Sequence, residues 1–179
     1  MPSGRTHDVI TLIIAPPTFV AAWGLTGSYL LASVATCATL FGGLMFGPDL
    51  DILSRQYTRW GVFRFLWLPY RAVFRHRSRW SHGIIFGTLI RVIYFALMLT
   101  LLISAGIYLR ALITAGGVAP GWEEVVSAWR SIEAGVAASG VRVDKNLAYA
   151  TFAGLWWGAA SHTLTDVAWS VVRKGSEIF

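Results

Sequence analysis

The run IIFGTLIRVIYFALMLTLLISAGIYL, Ile84 to Leu109, decides the fold class. About 20 predominantly apolar residues in a helix cross the hydrocarbon of a bilayer, and this run is longer than that. Three more apolar stretches read the same way: Val9 to Trp23, Tyr29 to Phe46 and Leu147 to Val172. The 179 residues are 55% hydrophobic and only 13% charged, against roughly 25% charged in soluble domains, so a membrane is the expected solvent. The expectation is an all-α, polytopic helical membrane protein, one domain over residues 1–179, with about four transmembrane helices. Pro16 and Pro17 interrupt the short first stretch, where lost backbone hydrogen bonds predict a kink or tilt.

The amino end, MPSGRTHD, shows no small-residue cleavage pattern and is expected to be retained. Cys37 stands alone, which excludes a disulfide or a thiolate metal site within the chain. Net charge is +6, and its distribution matters more than its size. Arg55, Arg59, Arg64, Arg71, Arg75, Arg77 and Arg79 share one segment with Trp60, Phe63, Phe65, Trp67, Tyr70, Phe74 and Trp80. Basic and aromatic mixtures also bind RNA. Between two apolar runs, however, arginines beside aromatic rings predict a segment lying on an anionic membrane surface. Residues Arg59 to Phe74 are expected to form an interfacial helix broken near Pro69, with membrane lipids as partners and no nucleic acid. A second amphipathic helix is predicted in GWEEVVSAWRSIEAGV, where Trp122, Val125, Val126, Trp129 and Ile132 recur at helical spacing. Arginine and lysine counts place the head, the arginine-rich segment and the tail on one side of a bacterial membrane, the cytoplasmic one.

All four histidines and four of the five aspartates fall at the span ends that this topology puts on that side. His7 and Asp8 precede the first span, and Asp49 and Asp51 follow the second in FGPDLDI. His76 and His82 precede the third in RHRSRWSHG, and His162 and Asp166 lie near the end of the fourth in SHTLTD. Singly, each reads as a helix cap or an interfacial side chain. Together they are expensive in so apolar a chain unless paired or metal-bound. His162 and Asp166, four apart, share a helix face and can reach one ion. Three histidines and three aspartates exceed the need of one tetrahedral ion, so two divalent ions bridged by a carboxylate are expected. Mixed imidazole and carboxylate ligands suit zinc first, with manganese or iron as alternatives. The six residue steps from His76 to His82 turn a helix about 120° from alignment, so a break is predicted between them.

The order His7, Pro48-Asp49-Leu50-Asp51, His76-Arg77-Ser78-Arg79-Trp80-Ser81-His82 and Ser161-His162-Thr163-Leu164-Thr165-Asp166 resembles a bacterial group of membrane-bound metal-dependent hydrolases. It resembles more closely a related group of metal-binding proteins. The likeness covers nearly the whole chain. One departure is that His76 and His82 are six apart where the hydrolase group has five, which bears on which histidine faces the metal. The His-x-x-x-Asp spacing is also locally similar to zinc phospholipase C. The resemblance implies metal ligation by His7, Asp49, Asp51, His76, His82, His162 and Asp166.

The expected function is two-metal hydrolysis of a phosphoester, on a lipid among other candidates, at the cytoplasmic interface. Arg77 or Arg79 would hold the phosphate, and Asp8 would take a proton from water. The rival reading is a non-catalytic metal-bound scaffold or accessory subunit of a larger membrane complex, with every coordination position filled by protein.

Overall fold

The computed structural model describes residues 2–76, 78–140 and 144–176, of which Arg79 and residues 174–176 are described by backbone alone. Every regular element among them is helical. In chain order these are α1 (Gly4–Thr26), α2 (Tyr29–Leu44), a 3-10 turn (Pro48–Asp51), α3 (Arg55–Thr58) and a 3-10 helix (Gly61–Trp67). They are followed by α4 (Leu68–Val73), α5 (Arg79–His82), α6 (Phe86–Thr114), α7 (Trp122–Ala138) and α8 (Lys145–Ser176). Each apolar stretch in the sequence is therefore a helix, and the proline pair lies inside an uninterrupted α1.

Membrane length is a stricter test than helicity. Among the described residues, α1 and α6 are long and apolar enough to cross a bilayer. Helix α2 is apolar but has 16 residues, about 24 Å at 1.5 Å per residue, short of a core of about 30 Å. Helix α8 is long, but His162, Asp166 and Arg173 break its apolar run. Two helices, not about four, thus meet the requirement.

The chain packs as two compact units, Met1–Ile93 with Lys145–Phe179, and Tyr94–Asp144. In the first, Ser3 caps α1 by accepting from the Thr6 amide, and Gly27 ends it at φ 65°. Left-handed backbone is the conformation glycine adopts without penalty, and it lets Ser28 begin α2 at once. Helices α2 and α8 then run parallel in close contact, because glycine meets backbone on both sides. A Cβ on Gly158 would collide with the Thr39 carbonyl, and one on Gly154 with that of Ala35. One on Gly42 would sit 2.5 Å from the Leu155 carbonyl. Small residues four apart are what let two helix backbones approach this closely.

The basic segment breaks where proline predicts, the 3-10 helix giving way to α4 with Pro69 in its first turn. Its aromatics divide. Trp67 and Tyr70 are fully buried, in edge-on contact at 5.7 Å, with Trp60 and Phe46 packed against Trp67 at 5.2 and 5.4 Å. Phe63, Phe65 and Trp80 remain exposed. Two of the seven rings, Trp67 and Tyr70, are therefore core rather than surface.

In the second unit α7 is helical as expected, but only part of its predicted apolar face is covered, and Ile132 is exposed. Val125 is buried, Trp122 is exposed, and the Trp129 indole donates to the Ser104 hydroxyl at 3.0 Å.

Candidate metal centre

Three elements of the first unit bring the ligand candidates together. On α8 the residues at every fourth position from Gly154 are Gly154, Gly158, His162 and Asp166, a single stripe along one face. Its glycine half lies on α2, so its ligand half projects just past the end of α2. On α1, His7, Thr11 and Ala15 form the matching buried stripe, and Thr11 meets Gly43. The Pro48–Asp51 turn supplies the carboxylates, its backbone fixed by the Ser54 hydroxyl donating to the Asp49 carbonyl at 2.7 Å.

Two groups of donors result. The inner group is His7, His162 and Asp166, and the outer group is Asp49, His76 and His82. In the inner group His7 Nε2 lies 3.3 Å from Asp166 Oδ1 and His162 Nε2 lies 3.8 Å from Asp166 Oδ2. The two imidazoles stack face to face, 3.6 Å between centroids and 8° from parallel. Asp49 touches both groups: Oδ2 is 3.3 Å from His162 Nε2, and Oδ1 is 3.4 Å from His82 Nε2. Burial raises the pKa of Asp49, but the histidines on either side outweigh it and hold the carboxyl well below the usual carboxylate range.

The chemistry of this donor set fits divalent ions. His82 Nε2, His162 Nε2, Asp49 Oδ1 and both Asp166 oxygens are buried without a hydrogen-bond partner among the described residues. Each such atom costs about 1–3 kcal/mol if left bare, and a cation between them would satisfy several at once. Three of their separations, 3.3 to 3.4 Å, also agree with that, and the fourth, 3.8 Å, is slightly longer. A tetrahedron whose centre lies 2.0–2.2 Å from its corners has edges of about 3.3–3.6 Å.

The remaining predicted residues fall around this centre. Asp51 stands behind the outer histidines, Oδ1 3.0 Å from His76 Nδ1 and Oδ2 3.6 Å from His82 Nδ1. A carboxylate on the far nitrogen fixes ring orientation and raises ligand basicity. His76 follows the end of α4 and His82 closes the one-turn α5, so the chain breaks between them and again before α6. Asp8 is chelated by Arg59, with contacts of 2.8 and 2.6 Å, and its Oδ2 also meets Arg55 at 2.8 Å. Arg77 lies outside the described residues, as does the side chain of Arg79.

Two residues were missed. Gln56 is buried, accepts from the Asp49 amide at 3.1 Å, donates to the Gly43 carbonyl at 2.7 Å and sits 3.3 Å from His162 Nδ1. No periodicity marks it in the sequence. Arg91 is buried, donating to the Ser81 carbonyl at 2.7 Å and to Thr88 at 3.1 Å, and so seats the turn that carries His82. A lone charge inside an apolar run was a readable signal for it.

Fold and donor set together define a helical protein with a candidate histidine–aspartate metal centre. The chain belongs to the family described as "Uncharacterized metal-binding protein (DUF2227)", which matches residues 2–175. That description carries the metal-binding side of the resemblance drawn from sequence and names neither a hydrolase nor a membrane family. An uncharacterized protein of Aquifex aeolicus (strain VF5) is 38% identical over 56 residues, which are 31% of this chain and 39% of that protein. No solved structure matches the chain.

Proposed function

We propose that the protein is a membrane-embedded two-metal hydrolase acting on a phosphoester, with zinc as the preferred ion. The observation that carries this reading is Asp49, one carboxylate whose two oxygens face two separate donor groups. A carboxylate shared in this way suits two ions held side by side in a hydrolytic centre. His7, His162, Asp166 and Asp49 would hold the inner ion, and His76, His82 and Asp49 the outer one. Bound ions would polarise a phosphoryl oxygen and lower the pKa of a water molecule. The chain itself contributes the scaffold. Asp51 orients His76, the Ser81 hydroxyl 3.1 Å from Nδ1 orients His82, Gln56 ties the Asp49 backbone to the end of α2, and Arg91 holds the His82 turn. Asp8, chelated by Arg59, is better suited to fixing that arginine than to taking a proton.

A lipid substrate is supported by an apolar groove of about 430 Å³ on α1, α2 and α8, lined by Ile14, Leu25, Ala35, Gly154 and Trp157 among others. Multi-pass insertion with the centre on the cytoplasmic side is supported by the two apolar helices of membrane length and by the arginine-rich segment. The outer group has three ligands, one fewer than a closed structural site, which favours catalysis over the scaffold reading. Elemental analysis with a bis(p-nitrophenyl) phosphate assay tests the proposal. Two ions per chain and hydrolysis abolished in Asp49→Asn are expected. A metal-replete protein inert toward phosphodiesters, phosphomonoesters and phospholipids would refute the enzyme reading.

A further inference from the structure

Beside the inner donors lies a cleft of about 260 Å³ whose lining includes Gly4, His7, Asp8, Asp49, Arg55 and His162. We propose that this cleft is an oxyanion subsite that takes a tetrahedral phosphate group, with Arg55 as its charged contact. The proposal rests on the two-metal reading above and adds where the phosphate of the substrate sits.

The first argument is charge. Asp8 is satisfied by Arg59 alone, oxygen for nitrogen, and Arg59 is anchored further on the Leu44 carbonyl at 2.8 Å. Arg55 places a second guanidinium on the same Asp8 oxygen through Nη1. Arg55, Arg59 and Asp8 together carry one positive charge, 2 − 1 = 1; of these Arg55 and Asp8 line the cleft, as does Asp49, so an anion there meets the excess only once cations neutralise Asp49. Arg59 is the more buried of the two, at 29% exposure against 51% for Arg55, so Arg55 is the one that can turn toward a ligand. A guanidinium offers five N–H donors in a fork that matches an oxyanion.

Location gives the second argument. A Cβ on Gly4 would lie 3.0 Å from Arg55 Cδ, so the absence of a side chain there lets Arg55 lie across the start of α1. The Thr6 and His7 amides in the first turn of α1, a helix of 23 residues, are taken by Ser3, and Gly4 at the helix start lines the cleft. A helix start alone would mean little. Here the same cleft is also lined by His7 and His162, the histidines of the inner donor group, whose side chains are 6% and 3% exposed, and His7 Nδ1 is buried without a hydrogen-bond partner among the described residues. Guanidinium, helix start and metal donors line one cleft, and an anion with three terminal oxygens has acceptors enough for all of them. Without cations, Asp49 and Asp166 repel such an anion, so phosphate binding should require metal.

The test uses the full chain with its metal content measured first. Inorganic phosphate is titrated calorimetrically into metal-loaded and chelator-treated protein, and co-sedimentation is measured with phosphatidylcholine vesicles with and without phosphatidic acid. Phosphate should bind the loaded form only. Arg55→Gln should weaken that binding at least about 10-fold with metal content unchanged, and Arg55→Lys should recover part of the loss. Tighter binding to phosphatidic acid than to free phosphate assigns the anion to a lipid headgroup; equal or weaker binding assigns it to a soluble phosphate. Loaded protein that binds neither overturns the subsite and leaves the metal centre standing, as does binding that Arg55→Gln leaves unchanged. Wild-type protein devoid of metal after loading overturns both.

Discussion

The inner and outer donor groups use the same chemistry on different supports. His7, His162 and Asp166 stand on α1 and α8, two long helices pressed on α2 through glycine and alanine. Asp49, His76 and His82 stand on a 3-10 turn, an irregular segment and a one-turn helix, held by side chains such as Gln56, Ser54 and Arg91. Burial follows support, with His162 at 3% exposure and His76 at 30%. Ligands on packed helices are placed by the fold itself, whereas ligands on turns depend on local hydrogen bonds. The inner ion should therefore be tightly held and the outer one exchangeable.

Replacing the shared ligand tests whether the groups are joined. Asn at position 49 keeps the shape but not the charge of the bridge, so Asp49→Asn should lower metal from about two ions to fewer than one per chain by elemental analysis. Two ions retained would show that the groups are independent. Next in size is the contrast between single histidines. His162→Ala should cost the inner ion about 100-fold or more in affinity, while His76→Ala should cost the outer ion about 10-fold, because water can take over the more exposed position. Competition with a chromophoric chelator measures both, and equal losses would erase the distinction between supports. The smallest effect is expected for Asp51→Asn, about 10-fold on the outer ion and none on the inner. A loss at both would make Asp51 a ligand instead of an orienting group.

The inner group was the more legible of the two for the same reason. His162 and Asp166 announce themselves by helical spacing, and α8 presents them as that spacing requires. Asp49 and Asp51 look equivalent in Pro-Asp-Leu-Asp, yet the tight turn sends one between the donor groups and the other behind two rings. Sequence predicts a break between His76 and His82 but not its form, a separate turn clamped by Arg91. Asp8 reads as a spare carboxylate until Arg55 and Arg59, some fifty residues away, fold onto it. The number of spans was over-read because apolar composition does not say what an apolar face meets. Much of the apolarity of α2 and α8 is alanine and glycine in contact with each other.

The stripe Gly154, Gly158, His162, Asp166 makes the centre a gauge of helix rotation. Inserting one residue between Gly158 and His162 would turn the two ligands by about 100° while the glycine contacts above them stayed in place. Inserting four would turn them by about 40° and carry them about 6 Å further along the axis. Neither offset can be taken up by rotamers, since His162 is stacked on His7 and wedged against Gln56. Metal occupancy thus reports the angular setting of α8 against its neighbours, and a bound ion would act as a detent that opposes both twisting and sliding of that helix.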